Sequence, residues 1–506
     1  MASKPEPRLV LPSSRDAKFT PKRQAFVFQV EALEAIKALE YSAVFHEQGL
    51  GKTKIGVDLL LYWLANDLLD SVIVVTKKGL IQNWKDEIAA HSYLEPRLLD
   101  QNRRSNFYAF NSPARLYLTN YEVFRKEQRR LQLFLRTRRV GVLLDEAHKI
   151  KNPDSAIAKV FFDLAAGFKR RVIMTGTPVA NRPHDIWAQI FFLDAGVSLG
   201  PDFRAFKSQL DLSNKLASDP HRVHVFEEEL SSLFSKIEGF SVRETKASAG
   251  LKLPQKEISN VAVELESRQR EIYEQFRKDC AAIVVREGRP ILDNAEEVLK
   301  RLLRLVQVAS NPRLVDHAYH GTPGKLPALY SLIEKITDAG EKAIIWSSFT
   351  ETVDWLKHEL EPFGPAKVHG KMTYPDRGKA ISAFKNDRET RVLIATPGAA
   401  KEGLTLTVAN HAIFYDRSFS LDDYLQAQDR IHRISQTKKC FVVNIVAAHT
   451  IDTWVEVLLS AKRLAAMLAQ GDITRGQYES EATYAFGAMV RDVLGLEDDG
   501  DGSIKR

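Results

Sequence analysis

Short apolar runs bounded by polar stretches recur along the chain in two blocks. The first block holds Ala43–Phe45, Val72–Val75, Leu116–Leu118, Val140–Leu144 and Arg171–Met174; the second holds Ala343–Trp346, Arg391–Ala395, Ala412–Tyr415 and Phe441–Val446. Runs this short, apolar on both faces and separated by helical patterns, predict buried parallel strands covered by helices. Two blocks predict two α/β lobes. The region between them is polar and helix-patterned, as in Glu264–Cys280 and Ala295–Val308, and reads as helical insertions. Gly, Pro and Ser cluster at Ala247–Pro254 and at His320–Gly324, which marks breaks there. The expected organisation is a first lobe over 1–195, insertions and a linker over 196–322, a second lobe over 323–458 and a helical tail over 459–506.

Composition adds a partner class and removes others. The chain has 506 residues, 44% hydrophobic and 27% charged, so more than one core can be buried. A net charge of +7 favours a polyanionic partner. Local runs point the same way: Arg129, Arg130, Arg136, Arg138 and Arg139 are close together, and Lys169-Arg170-Arg171 follows. Any one such run, taken alone, reads as a solvated face. Two cysteines, Cys280 and Cys440, exclude a disulfide framework or a cysteine-rich zinc site and fit a reducing compartment. Lys4, Pro5, Glu6, Pro7 and Arg8 are followed by no apolar h-region, and no stretch is apolar enough to span a bilayer. The expected location is cytoplasmic and DNA-associated, or nuclear for a eukaryotic source, with no membrane partner.

The candidate chemistry begins where Ala43–Phe45 runs into Gly49-Leu50-Gly51-Lys52-Thr53, with a helix expected from Thr53 to about Leu69. A glycine turn between strand and helix lets backbone N–H groups approach phosphate oxygens, and the helix start adds partial positive charge. Lys52 is placed to reach the terminal phosphates of ATP and the Thr53 hydroxyl to hold Mg2+. The first glycine of the general phosphate-loop pattern is absent, because His46 stands there. Val140–Leu144 then delivers Asp145 and Glu146 at a strand end, where ligands of parallel sheets gather. Asp145 is placed to hold the magnesium, directly or through water, and Glu146 to polarise the attacking water. In the second block Arg430 and Arg433 are three apart, so a helix would set them on one face with Gln426. Two guanidiniums there can meet a γ-phosphate, so the expected ATP site is divided between the lobes.

These phrases resemble the superfamily 2 helicases, and more closely the Swi/Snf family of double-stranded DNA translocases. The resemblance runs from about Phe26 to about Val455. Phe26-Val27-Phe28-Gln29 resembles the upstream adenine motif, with Gln29 its glutamine. Thr76 to Trp84, Thr119-Asn120-Tyr121-Glu122, Asp145 to Asn152 (DEAHKIKN) and Met174-Thr175-Gly176-Thr177-Pro178 are similar to successive first-lobe motifs, and Asn181 and Trp187 resemble the extension of the last. Ile345 to Phe349, His369-Gly370 with Arg377, Gly403-Leu404-Thr405-Leu406 and Gln426 to Gln436 (QAQDRIHRISQ) are similar to second-lobe motifs. DEAHKIKN with TGTP and DRIHRISQ is what separates this chain from RNA helicases carrying DEAH. The resemblance implies two tandem RecA-like lobes with parallel sheets and helical insertions between them. It implies nucleotide contact by Gln29, Gly49, Leu50, Gly51, Lys52, Thr53, Gly403 and Gln426, and catalysis by Lys52, Asp145, Glu146, Arg430 and Arg433.

The chain also departs from the family pattern. His46 and Gln48 replace an acid and a methionine, Ala180 stands where glutamine is common, Phe419-Ser420-Leu421 replaces Trp-Asn-Pro, and Ser435 replaces glycine. The fifth motif reads GAAKEGLTLT. These changes point away from the large nucleosome remodellers and towards the compact bacterial, viral and fork-remodelling branches.

Backbone-tracking proteins need donors and cations rather than base readers. Thr76, Lys77, Lys78, Asn120, Lys149, Lys151 and Asn152 would line one lobe, and Ser347, Ser348, Thr396 and Lys401 the other. Each could instead be a helix cap or a surface lysine. No series of aromatics indicates a single-strand stacking platform. The expected function is an ATP-dependent translocase on double-stranded or forked DNA, a monomer directed by a protein partner or by DNA structure. The rivals are a strand-separating helicase of the same superfamily and a catalytically silent DNA-binding scaffold.

Overall fold

A computed structural model describes residues 19–179, 181–210, 220–251, 253–287, 295–400, 405–481, 498–499 and 503–504. They fall into two units, one drawn from Met1–Val179, Pro183–Leu210 and Ser232–Leu251, the other from Ala180–Arg182, Asp211–Ser231 and Lys252–Arg506.

The first unit is built on strands β1 (Tyr41–Val44), β2 (Ser71–Thr76), β3 (Arg97–Leu98), β4 (Leu116–Asn120), β5 (Val140–Asp145), β6 (Arg170–Met174) and β7 (Ser241–Val242). They form one parallel sheet in the order β3-β4-β2-β5-β6-β1-β7. Every residue of β2, β4 and β5 is buried, as expected for strands covered on both faces. The helix Lys52–Ala65 lies against the sheet, with Ile55, Leu59, Trp63, Val72, Val74 and Leu143 in one cluster.

The second unit is built on β8 (Lys256–Val263), β9 (Ala343–Trp346), β10 (Ala366–Val368), β11 (Val392–Ala395), β12 (His411–Phe414) and β13 (Cys440–Ala447). Its sheet is also parallel, in the order β10-β11-β9-β12-β13-β8. Successive residues alternate between two cores: Ile344, Trp346, Leu393 and Ala412 pack on one side, Ala343, Ile345, Ile394 and Ile413 on the other. That alternation is the strand period of two filling both faces. A third cluster joins the helices Ser267–Glu287, Ala295–Ser310 and Ile451–Ala469 through Tyr273, Leu305, Val306, Trp454 and Leu458.

Both expected parallel α/β sheets are present. Four strands of these two sheets escaped the reading of apolar runs. β3, β7 and β10 span only two or three residues, and β8 is an edge strand with most residues exposed or half-exposed. β7 and β8 arise inside the stretch read as helical insertions, one completing each sheet. The first long helix also stops sooner than its pattern predicts. Asn66 turns its side chain back to the Tyr62 carbonyl and Asp67 takes a positive φ of 51°, which ends the helix at Ala65.

Candidate nucleotide site

The C-terminal ends of four neighbouring strands make one row in the first unit. Val44 pairs with Met174, Met174 with Asp145, and Val75 with Leu144, so the glycine turn, the acids and Thr76 emerge along one edge. Gly49 and Gly51 hold positive φ values of 90° and 71° in the turn that starts the helix Lys52–Ala65. Gln29, buried near the start of the helix Val27–Ile36, donates to the Leu50 carbonyl (3.0 Å) and accepts from the Phe26 N–H (3.0 Å). The positive φ of Gly51 favours glycine there, and a Cβ would lie 2.5 Å from Gln29 Nε2 and push that amide aside. The Lys52 ammonium donates to the carbonyls of His46 (2.9 Å) and Glu47 (3.3 Å). Residues beside β7 brace the loop: the Glu47 N–H donates to the Glu244 carbonyl, and the Lys246 N–H donates to the Glu47 carboxylate. His46 is buried beside Phe28. Burial and the Lys52 charge hold its pKa down at about 4.

The acids are held by donors from distant parts of the chain. Trp84 Nε1 (2.7 Å) and Thr76 Oγ1 (3.0 Å) both donate to Asp145 Oδ2, and the Tyr121 hydroxyl donates to the Asp145 carbonyl (2.7 Å). Burial, then the neighbouring Glu146, pushes the Asp145 pKa up. Glu146 has a positive φ of 56°, uncommon for a non-glycine residue and typical of a functional corner. Burial alone would raise its pKa, but Lys77, His148 and Lys52 overcome that and hold it well below the usual carboxylate range. His148 Nδ1 lies 3.1 Å from its carboxylate.

This set fits a magnesium–nucleotide. Asp145 Oδ1 takes part in none of the hydrogen bonds that converge on Oδ2. Magnesium is commonly held by one or two carboxylates with phosphate oxygens and waters, and Asp145 is a carboxylate of that kind. No described helix is long and apolar enough to cross a membrane.

The first-unit residues expected on a phosphate track are divided in their engagements. Thr76 is buried and bonded to Asp145. Asn120 caps the helix Tyr121–Lys126, accepting from the N–H groups of Glu122 and Val123. Lys151 pairs with Asp185 at 2.8 Å, and Asn152 accepts from the Asp154 N–H. Lys77 lies close enough to Glu146 to act on its charge, and Lys149 is exposed.

In the second unit Ser347 is fully buried, and its hydroxyl donates to Asp416. Asp416 also accepts from the Ser348 N–H (2.7 Å) and the Ser310 hydroxyl (2.9 Å). Thr396 is buried and follows β11. Lys401 and Gly403 lie outside the described residues. Gln426 is buried in the helix Leu421–Gln428 and donates to Asp422.

Arg430 and Arg433 do not share a helix face, because that helix ends at Gln428 and both arginines sit in the turns that follow. The chain leaves the helix because other partners take its polar groups. Leu406 N–H donates to the Arg430 carbonyl, and Gln436 Nε2 lies within hydrogen-bond reach of the carbonyls of Ile431, Ala409 and Thr407. Arg433 donates to the Asp429 carbonyl and to Thr405 Oγ1.

Sequence reasoning passed over Trp84, Tyr121, His148, Asp416 and Gln436 as site-builders. The first three and Gln436 stand inside the quoted motifs, and that neighbourhood was the available signal. Asp416 had only its place after an apolar run.

Two family models match this chain. The SNF2-related domain matches residues 40–314, and the helicase conserved C-terminal domain matches residues 324–435. The chain belongs to the SNF2-related family of ATP-dependent enzymes. This SNF2-related chain is 27% identical over 436 residues to an uncharacterised ATP-dependent helicase of Mycoplasma genitalium, covering 84% of this chain and 40% of that protein. It is 25% identical over 429 residues to an ISWI chromatin-remodeling complex ATPase of Saccharomyces cerevisiae, covering 80% of this chain and 36% of that protein. A solved Sulfolobus solfataricus SWI2/SNF2 ATPase core in complex with dsDNA aligns with 97% of this chain and all (100%) of its own, at 22% identity and a TM-score of 0.41. The SNF2-related chain spans about two fifths of the length of these curated relatives.

Proposed function

We propose that this chain is a DNA-dependent ATPase that moves along double-stranded DNA, remodelling duplexes or forks or displacing bound protein. The observation that carries it is the alignment, at one sheet edge, of a glycine turn, Lys52 and a buried Asp145–Glu146 pair, in a chain of the SNF2-related family. Gln29 would read the adenine edge. The N–H groups of the glycine turn and the Lys52 ammonium would meet the phosphates. Lys52 now rests on two loop carbonyls, so phosphate oxygens would replace acceptors it already has. Thr53 and Asp145 would hold magnesium, which when bound neutralises charge between the phosphates. Glu146, kept anionic, would orient the attacking water. Arg430 and Arg433 are the second-unit residues on which hydrolysis would also depend, each offering guanidinium charge to the transition state. The track would be phosphate-reading and sequence-indifferent, with Lys77, Lys149 and Lys151 the first-unit cations and Ser348 a second-unit donor.

The test is ATP hydrolysis by the full chain with duplex, forked and single-stranded DNA and with RNA. Duplex or forked DNA should stimulate turnover. Lys52→Ala and Glu146→Gln should each lower it by on the order of 10²-fold or more, and Arg433→Ala by about 10³-fold. A wild-type chain that duplex DNA does not stimulate would overturn the motor reading. Movement is separated from unwinding by comparing displacement of a triplex-forming strand with displacement of one duplex strand; only the former is expected.

A further inference from the structure

Away from the nucleotide edge, the first unit carries a surface that its motifs leave unused. The helix Arg103–Phe110 and the helix Gln128–Thr137 lie side by side. Phe110 and Phe134 meet edge to face with centroids 5.3 Å apart, Arg130 donates to the Arg103 carbonyl (2.9 Å), and Asn106 donates to Glu127 (3.1 Å). These contacts fix which residues face outward. On the first helix they are Arg103, Arg104, Phe107 and Tyr108; on the second they are Arg129, Leu133 and Arg136, at the i, i+4, i+7 spacing of one stripe.

Two properties of this surface are unusual together. Phe107, Tyr108 and Leu133 are 52%, 61% and 63% exposed, and the two rings stand edge to face at 5.6 Å, offering separate planes to solvent. Aromatic side chains ordinarily bury their faces. Arg103, Arg104, Arg129 and Arg136 are exposed, and none has an acid within ion-pair distance among the described residues. Arg125, by contrast, is neutralised by Glu122 and Arg130 by Glu127. Four guanidiniums without an acid partner on two touching helices, together with two rings more than half exposed, select a ligand that is both polyanionic and planar.

We propose that this face binds a single-stranded nucleic acid segment, with bases stacking on Phe107 and Tyr108 and phosphates held by Arg103, Arg104, Arg129 and Arg136. A duplex hides its base faces and would use only the arginines. An acidic polypeptide would use the charges and leave the rings without planar partners. Such a surface would favour DNA with an unpaired arm over a blunt duplex.

The experiment measures anisotropy of labelled oligothymidylate and oligouridylate of roughly 20 nucleotides, and of a duplex, with the full chain. The variants are Phe107→Ala/Tyr108→Ala and Arg129→Ala/Arg136→Ala. The ring pair should lower affinity for whichever single strand the wild type binds by on the order of 10-fold, with duplex affinity changed less than about twofold. The arginine pair should flatten the logarithmic salt dependence of single-strand binding by about 1. ATP turnover without DNA should match wild type in both, which also confirms that they fold. The proposal fails if the ring pair leaves single-strand affinity unchanged or lowers duplex affinity equally. It also fails if polyglutamate of equal charge competes as well as the oligonucleotide. Duplex-stimulated turnover in the wild type reports separately on the motor.

Discussion

Asp145 accepts two side-chain hydrogen bonds on one oxygen, from Trp84 and Thr76, which aims the carboxylate and leaves its other oxygen for a metal. Trp84→Phe keeps the buried ring and removes the N–H. Because hydrogen bonds to charged groups contribute about 1.5–3 kcal/mol, denaturant unfolding should show a loss of that order. The magnesium needed for half-maximal turnover should rise several-fold in the same variant, and an unchanged magnesium profile would reject the aiming role. His46 gives a pH signature of its own. Its folded pKa lies near 4 against an ordinary 6.5, so between those values the unfolded chain binds a proton that the folded chain refuses. Its contribution is present above about pH 6.5 and is lost as the pH falls through about 4, a change of roughly 3 kcal/mol. His46→Phe retains a buried ring beside Phe28 and does not titrate. Melting curves from pH 7 to about pH 4 should therefore fall less steeply for it than for wild type.

At the scale of elements, packing decides where segments may begin. Gly324 precedes the helix Lys325–Asp338, and a Cβ there would lie 2.0 Å from the Glu264 carbonyl oxygen and 3.1 Å from Leu265 Cα. Both obstacles are backbone, so Gly324→Ala should cost about 3 kcal/mol, read as a lowered denaturant midpoint. The interior strands were legible because each is a short apolar run buried on both faces, as β2 and β5 are. β8 was not, because an edge strand with exposed residues carries no such run; its eight residues are strand because β13 offers a full parallel ladder. The outward rings of Phe107 and Tyr108 were likewise hidden, since one helical turn sends Phe110 inward and leaves its neighbours in water.

For the whole molecule, +7 net charge and the unpaired arginines set how it meets a polyanion. Counterion release makes such binding fall with salt, so duplex affinity should drop by on the order of 10²-fold or more between about 50 and 200 mM salt. DNA-free turnover should change little over the same range, because buried charges such as Asp145 are screened less than exposed ones. Stimulation by duplex that is indifferent to salt would contradict a phosphate track. Burial also sustains the second unit, where Lys325 is inaccessible to solvent, pairs with Asp452 (2.5 Å) and donates to the Tyr415 carbonyl (3.0 Å). One ammonium thereby ties the helix Lys325–Asp338, the residue after β12 and the helix Ile451–Ala469 together.

The sequence by itself determined what lies within one turn of the chain: the glycine loop before Lys52, the adjacent acids after an apolar strand, and the short apolar runs that build two parallel sheets. Those follow from local backbone geometry and burial period, which contiguous residues carry. Tertiary structure alone decided which donors hold Asp145, since Trp84 and Thr76 reach it from 61 and 69 residues away and only strand order brings them there. It also decided that Arg430 and Arg433 leave the helix, because the Leu406 N–H and the Gln436 side chain take the carbonyls of Arg430 and Ile431.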